Sequence, residues 1–252
     1  MSLRPFRGVK VALTRGKNRT KSAPSEAIPI MAASYFDVDG TLVTTNLVHP
    51  TLYYMLRQPT PLHSLKKLGK ALVRAPLMAV AELQDRRLFN EMLFTSYEGM
   101  SEDRLLTLAE EAFIRVMKPA LYPGAKDLVR SCLDRGHDVV LVSGALDFII
   151  VHLARHLGAT GIIANRLELK DRFATGKLLR PVVAGPEKAK LLRDHAHEHG
   201  HVLDECFAYS DSYSDVPMLS VVGHPAAVNP DRKLRLLAST YHWPIIRLDR
   251  AA

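Results

Sequence analysis

The chain has 252 residues, enough to bury a sizeable core as one domain or as one domain carrying an insert. Its 47% hydrophobic and 24% charged residues are ordinary for a globular protein, and no apolar run is long enough to cross a bilayer. The net charge of +8 hints at nucleic acid, but seven basic residues against Glu26 place +6 in the first thirty positions; the remaining +2 is no nucleic-acid footprint.

Residues 1–32 mix Pro, Gly, Ser and Lys without periodicity and read as a basic, disordered tail without a secretory apolar segment. Met31 stands just before the first strand, so residues 1–30 are either an upstream extension or a genuine basic arm. Ser34-Tyr35-Phe36 forms a short strand ending at Asp37. From Asn46 to Lys118 long Leu-rich stretches with few β-branched runs predict helices. Tyr122-Pro123-Gly124 is a break before a helix over 125–135. Strand and helix then alternate: strand 137–142, helix 146–157, strand 161–165. A hairpin is expected from 167–170 and 177–179, turning around Ala174-Thr175-Gly176. Next come a helix over 186–198 with Pro186 in its first turn, strand 206–209, a short helix 216–221 and strand 225–228. Tyr241-His242-Trp243-Pro244 is expected to pack a C-terminal strand on the core.

Strand alternating with helix means an α/β fold, a parallel sheet with helices on both faces. The helical block directly after the first strand reads as an inserted α-helical cap. The expected division is a tail at 1–32, a core from 33–45 and 119–252, and a cap at 46–118. Cys132 and Cys206 lie far apart without metal-ligand spacing and read as reduced thiols of a cytoplasmic protein.

Ligands of open α/β sheets sit at the carboxyl ends of the strands. The first strand ends in Asp37-Val38-Asp39-Gly40-Thr41. Asp37 can attack a phosphoryl group as nucleophile. Asp39, past the bend, can protonate the leaving oxygen and later deprotonate water. Gly40 and the amides around it, Thr41 included, can hold phosphate oxygens. The second strand ends in Ser143-Gly144, a hydroxyl and an unhindered amide suited to phosphoryl oxygens, though Ser-Gly alone is a common turn. Lys188 lies in the first turn of a helix, where the dipole gives a cation nothing, so its position suggests an anionic partner such as Asp37, though taken alone it reads as a surface lysine. The last cluster, Ser210-Asp211-Ser212-Tyr213-Ser214-Asp215, brings two carboxylates to a site that would suit Mg²⁺. Asp215 alone could equally be a helix N-cap.

In this order the motifs resemble the haloacid dehalogenase superfamily, within it the phosphoserine-phosphatase-like branch with a helical cap. Asp37-Val38-Asp39-Gly40-Thr41, Ser143-Gly144, Lys188 and Asp211 with Asp215 carry the resemblance, supported by Tyr122-Pro123-Gly124 and Ala164-Asn165-Arg166-Leu167. The resemblance implies a Rossmann-like core and one Mg²⁺ held by Asp37, the main-chain carbonyl of Asp39 and Asp211, with Asp215 supporting it. The implied activity is a phosphomonoesterase working on a small phosphorylated substrate through an aspartyl-phosphate.

The chain departs from phosphoserine phosphatases at several points. Asn46 stands where they resemble one another in a substrate-binding glutamate, and Leu93 falls where their cap has an arginine; Arg86 or Arg87 could substitute. Ser210, Ser212 and Ser214 replace Gly, Gly and Asn, which resembles a subgroup including phosphatase-like portions of lipid-synthesis acyltransferases. The His199–Asp204 acyltransferase-like string lacks its context.

Two alternatives to a soluble substrate follow. One is a phospholipid headgroup or lysophosphatidate at the membrane surface, because His63, Lys66, Lys67, Lys70 and Arg74 line one helical face opposite Leu65, Leu68 and Leu72. The other is a non-catalytic binding protein, which has no need of both Asp37 and Asp39. The series His195, His197, His199, His201 alternates faces on a helix and reads as a fraying helix end.

Overall fold

The computed structural model describes residues 32–58 and 60–248, so the expected basic tail lies, but for Ala32, outside the described residues. β1 (Ala33–Asp37) is buried along its whole length, as befits a strand covered on both faces. The chain then leaves the sheet for α1 (Val48–Leu56), α2 (Pro61–Gln84), α3 (Arg86–Phe94) and α4 (Glu102–Ala112). The helix starts have local causes. Thr60 accepts a hydrogen bond from the His63 amide ahead of Pro61 in α2, and the Asp85 carboxylate accepts from the Arg87 and Leu88 amides in α3. The outgoing and returning strands of chain are laced together. The Thr44 amide donates to Ala120 O at 2.7 Å and the Tyr122 amide to Leu42 O at 3.0 Å.

After α5 (Ala125–Asp134) follow β2 (Asp138–Leu146), α6 (Asp147–Leu157), β3 (Gly161–Asn165) and the hairpin β4 (Leu167–Lys170) with β5 (Phe173–Leu178). The chain ends with α7 (Pro186–His199), β6 (Phe207–Ser210), α8 (Val216–Leu219), β7 (His224–Val228), α9 (Arg232–Thr240) and β8 (Ile245–Ile246). Six strands form one parallel sheet in the order β3-β2-β1-β6-β7-β8. Strand period two divides the core. Phe36, Val139 and Leu141 face a cluster continuous with the helical block, and Tyr35, Val140 and Val142 face Leu192, Met218 and Leu234 of α7, α8 and α9. Phe36 stacks on Tyr209 at 4.2 Å between centroids. Among the described residues no helix is long and apolar enough to cross a membrane.

Three details differ from expectation. The hairpin turns at Asp171-Arg172, both with positive φ (50° and 67°), rather than at Ala174-Thr175-Gly176. Two positive-φ residues give a turn whose twist matches the strands, but arginine hides the usual Asn-Gly signal. The hairpin also adds to the helical block, since Ala174 exchanges backbone hydrogen bonds with Gly99 and Met100, each of 2.8 Å. Helix α9 is unexpected because its buried residues, Leu234 and Ala238, are too few to mark a period among basic neighbours; Asp231 caps it by accepting from the Leu234 amide.

The third is the end of α7, which does not fray. Gly200 takes the left-handed conformation (φ 69°), its amide bonds His197 O, and the His201 amide bonds Ala196 O at 2.8 Å. That reversal brings His201 back beside His195 and His199, with centroids 4.0–5.8 Å apart, while His197 stays exposed. The Tyr35 hydroxyl lies 3.2 Å from His195 Nδ1 and 3.3 Å from His201 Nδ1.

Candidate active site

The order of the sheet reverses at β1, which has β2 on one side and β6 on the other. A crevice therefore opens beyond the carboxyl ends of β1 and β6. Asp37 is the last residue of β1, and Asp211 follows the last residue of β6. Gly40 lets the two loops close on one another. Its φ is +84°, and a Cβ there would lie 2.2 Å from Asp211 Oδ2. Gly144 is similarly hemmed in, its hypothetical Cβ 3.0 Å from Asn90 Nδ2 and 3.3 Å from Val183 O. Asn165 secures that region, donating to Gly144 O at 2.7 Å and accepting from the Val183 amide at 2.7 Å.

Lys188 is buried in the first turn of α7 and its Nζ reaches both acid clusters, 2.5 Å from Asp37 Oδ1 and 2.8 Å from Asp215 Oδ2. Asp215 Oδ2 also accepts from Ser210 Oγ at 2.8 Å. The Asp215 side chain therefore holds the lysine and makes no helix-capping hydrogen bond. Thr41 is fully buried, its Oγ1 3.0 Å from Asp37 Oδ2 and 3.0 Å from Asp211 Oδ1, while it accepts from the Asp211 amide at 2.9 Å. Ser143 is also fully buried; its Oγ accepts from the Ala145 amide at 3.0 Å and makes a long 3.5 Å contact to Asp39 Oδ2.

A pocket of about 230 Å³ has Asp37, Asp39, Gly40, Gly144, Lys188, Asp211 and Asp215 in its wall. Thr41 and Ser143 are not in that wall; they brace its carboxylates from behind. From the helical side come Thr45, Asn46, Arg86 and Asn90. Of these, Asn90 and Thr45 had no functional motif to mark them, while Arg86 is one of the two arginines the sequence offered in place of the cap arginine. Asn90 is 2% exposed, and among the described residues its Oδ1 has no hydrogen-bond partner; neither has Thr45 Oγ1. Buried polar atoms are nearly always satisfied, and since both residues line the pocket a bound ligand or a water there can satisfy them. Arg87 instead pairs with Glu91 outside the pocket, and Leu93 is buried in the apolar interior.

The electrostatics are short of positive charge. Burial raises the Asp37 carboxyl, opposed chiefly by Lys188 and reinforced by Asp215. Burial and the neighbouring Asp37 push Asp39 to about 7, and the same two causes push Asp211 to about 8. Lys188 loses by desolvation but gains more from Asp215 and Asp37, and stays protonated. One buried lysine, with Arg86 acting on Asp39, thus serves several carboxylates whose repulsion is only partly relieved. A hard divalent cation suits such an oxygen-only set, and Mg²⁺ commonly takes just one or two carboxylates beside other oxygens. Among the described residues no three His, Cys, Asp or Glu side chains converge as ligands. Asp37, Asp211 and a main-chain carbonyl need no third side chain, so the residues fit Mg²⁺.

The parallel α/β sheet gathers carboxylates and one buried lysine at its switch point, where ligands of open α/β sheets bind. The chain belongs to the haloacid dehalogenase-like hydrolases, whose family model matches residues 35–220. It is 34% identical over 223 residues to a putative hydrolase of Mycobacterium leprae, covering 88% of this chain and 74% of that one. It is 33% identical over 219 residues to phosphoserine phosphatase SerB1 of Mycobacterium tuberculosis, covering 86% and 71%. A solved structure of a protein of unknown function from Bordetella pertussis Tohama I superposes with a TM-score of 0.75 at 25% identity, covering 87% of this chain and 99% of that one.

Proposed function

We propose that this hydrolase is a Mg²⁺-dependent phosphomonoesterase working through an aspartyl-phosphate on Asp37. The observation that carries the reading is the pair of contacts at Lys188, which hold one cation against Asp37 while Asp39 stands two residues further on. A carboxylate oxygen of Asp37 attacks phosphorus, and the bond from phosphorus to the leaving oxygen breaks. Asp39, held near neutrality by burial and Asp37, gives that oxygen its proton. Asp39 then takes a proton from a water that attacks the aspartyl-phosphate, releasing phosphate and restoring Asp37. Lys188 and the amides around Gly40 and Gly144 offset charge on the transferring phosphoryl group, which is most of what such a reaction needs. Asp37, the main-chain carbonyl of Asp39 and Asp211 would hold Mg²⁺, with Asp215 supporting it, and the ion supplies further charge neutralisation.

SerB1 is named a phosphoserine phosphatase. For this chain the pocket supports a broader class, an organic phosphomonoester with a hydrogen-bonding leaving group facing Asn90 and Thr45. The test is phosphate release from phosphoserine, phosphoethanolamine and glycerol phosphate, with and without Mg²⁺, beside Asp37→Asn. Mg²⁺-dependent release lost in the variant is expected. Release that survives Asp37→Asn would end the reading.

A further inference from the structure

A second, larger cavity adjoins the pocket. It measures about 620 Å³ and lies between α1, α2 and α3, with Met55, Leu68, Ala75, Met78 and Leu93 among its mostly apolar walls. Val48 and Phe89 belong to the walls of both cavities, so the two meet at those side chains. The far wall is built rather than incidental. Lys67 Nζ donates to Ser96 O at 2.5 Å and Glu98 O at 3.0 Å, and Arg74 donates to Thr95 Oγ1 at 2.8 Å, tying α2 to the segment after α3. Alone, 230 Å³ falls below the usual range of organic ligand sites, whereas 620 Å³ lies inside it.

We propose that this cavity holds an aliphatic chain on the leaving group, so that the substrate is an amphiphilic phosphomonoester with its phosphate at Asp37 and its tail past Val48 and Phe89. The inference rests on the phosphatase reading and deepens it. Apolar walls give a chain a favourable place. The unsatisfied Asn90 and Thr45 lie on the pocket side, where a polar group between phosphate and tail would sit.

The test is phosphate release from n-alkyl phosphates of increasing length, butyl to dodecyl, each below its micelle-forming concentration. The panel is run with the full chain, with Ala75→Trp, which fills the cavity, and with Asp37→Asn. For the unaltered chain, kcat/KM should climb by up to about fourfold per methylene, the value implied by full burial of one CH2. In Ala75→Trp the ratio of long-chain to short-chain kcat/KM should collapse toward one, with Ala79→Leu as a milder filling should the first variant misfold. Release independent of length would overturn the tail site while leaving the phosphatase reading standing. No release from any alkyl phosphate while glycerol phosphate is hydrolysed would overturn the tail site alone, and no release from either would overturn both. A length dependence unchanged by filling would overturn the cavity as the tail's seat.

Discussion

Asp37 and Asp211, 174 positions apart in the chain, are joined through one hydroxyl, because Thr41 Oγ1 lies 3.0 Å from a carboxylate oxygen of each. A hydroxyl has one proton, so it bonds one carboxylate fully at a time and fixes the separation of both. Thr41→Val keeps the shape and removes the bridge, leaving the Asp211 amide without its 2.9 Å acceptor. Mg²⁺ titration of phosphate release should show apparent affinity weakened about 10–100-fold, as for the loss of a group that orients metal ligands. An unchanged titration would show that the hydroxyl does not organise the carboxylates.

Lys188 is the cation held between Asp37 and Asp215, with at most 7% of each side chain exposed. Lys188→Met leaves both acids buried without it and should cost about 3–5 kcal/mol in urea unfolding without Mg²⁺. Adding Asp215→Asn should recover part of that loss, with a coupling of about 0.5–3 kcal/mol. Strict additivity would mean the pair does not act as a unit.

Gly40→Ala would put a Cβ 2.2 Å from Asp211 Oδ2 at a backbone with φ +84°. The strain alone is about 1–2 kcal/mol. Displacing Asp211 by an ångström should lower kcat on the order of 100-fold. Gly69→Ala, where nothing lies within 4 Å of the new atom, is the comparison and should leave kcat unaltered.

His195 gives stability a pH dependence remote from the pocket. Burial, then His199 and His201, push it from 6.5 down to about 4. The unfolded chain therefore takes up this proton first as pH falls. The stabilisation is present above about 6.5 and is lost as pH drops toward 4. Urea midpoints measured from pH 7.5 to 4.5 should fall more steeply for the unaltered chain than for His195→Gln. Parallel curves would locate the acid sensitivity elsewhere.

Much of this protein follows from local signals. The apolar run ending in Asp37-Val38-Asp39-Gly40 has to be a buried strand entering a tight turn, and alternating strands and helices leave a parallel sheet as the economical way to bury their apolar faces. The helices between Asn46 and Lys118 show in the same manner, through leucine content and the prolines and caps that start them.

Local signals also mislead where a turn uses unusual residues, as at Asp171-Arg172, or where a helix buries little, as in α9. A period-two run of histidines excludes their all sharing one helix face, and His197 indeed stands apart, but the reversal at Gly200 brings three of them together. The amphipathic reading of α2 sets Leu65, Leu68 and Leu72 on one face, opposite a basic one. Leu65 and Leu72 are both exposed, and Lys67 and Arg74 of the basic face reach across to hold the chain after α3.

By itself, the sequence determined which residues stand at the strand ends, Asp37 and Asp39 after β1 and Asp211 and Asp215 after β6, because strand ends depend on neighbours a few positions away. Only the tertiary structure decided that Thr41 bridges two acids, that Asp215 and Ser210 secure Lys188, and that Arg86 and Asn90 face the pocket while Arg87 and Leu93 do not. These relations bring together side chains from distant stretches of chain, or choose between adjacent residues of one helix, and the packing of elements alone sets which atoms come within hydrogen-bond reach.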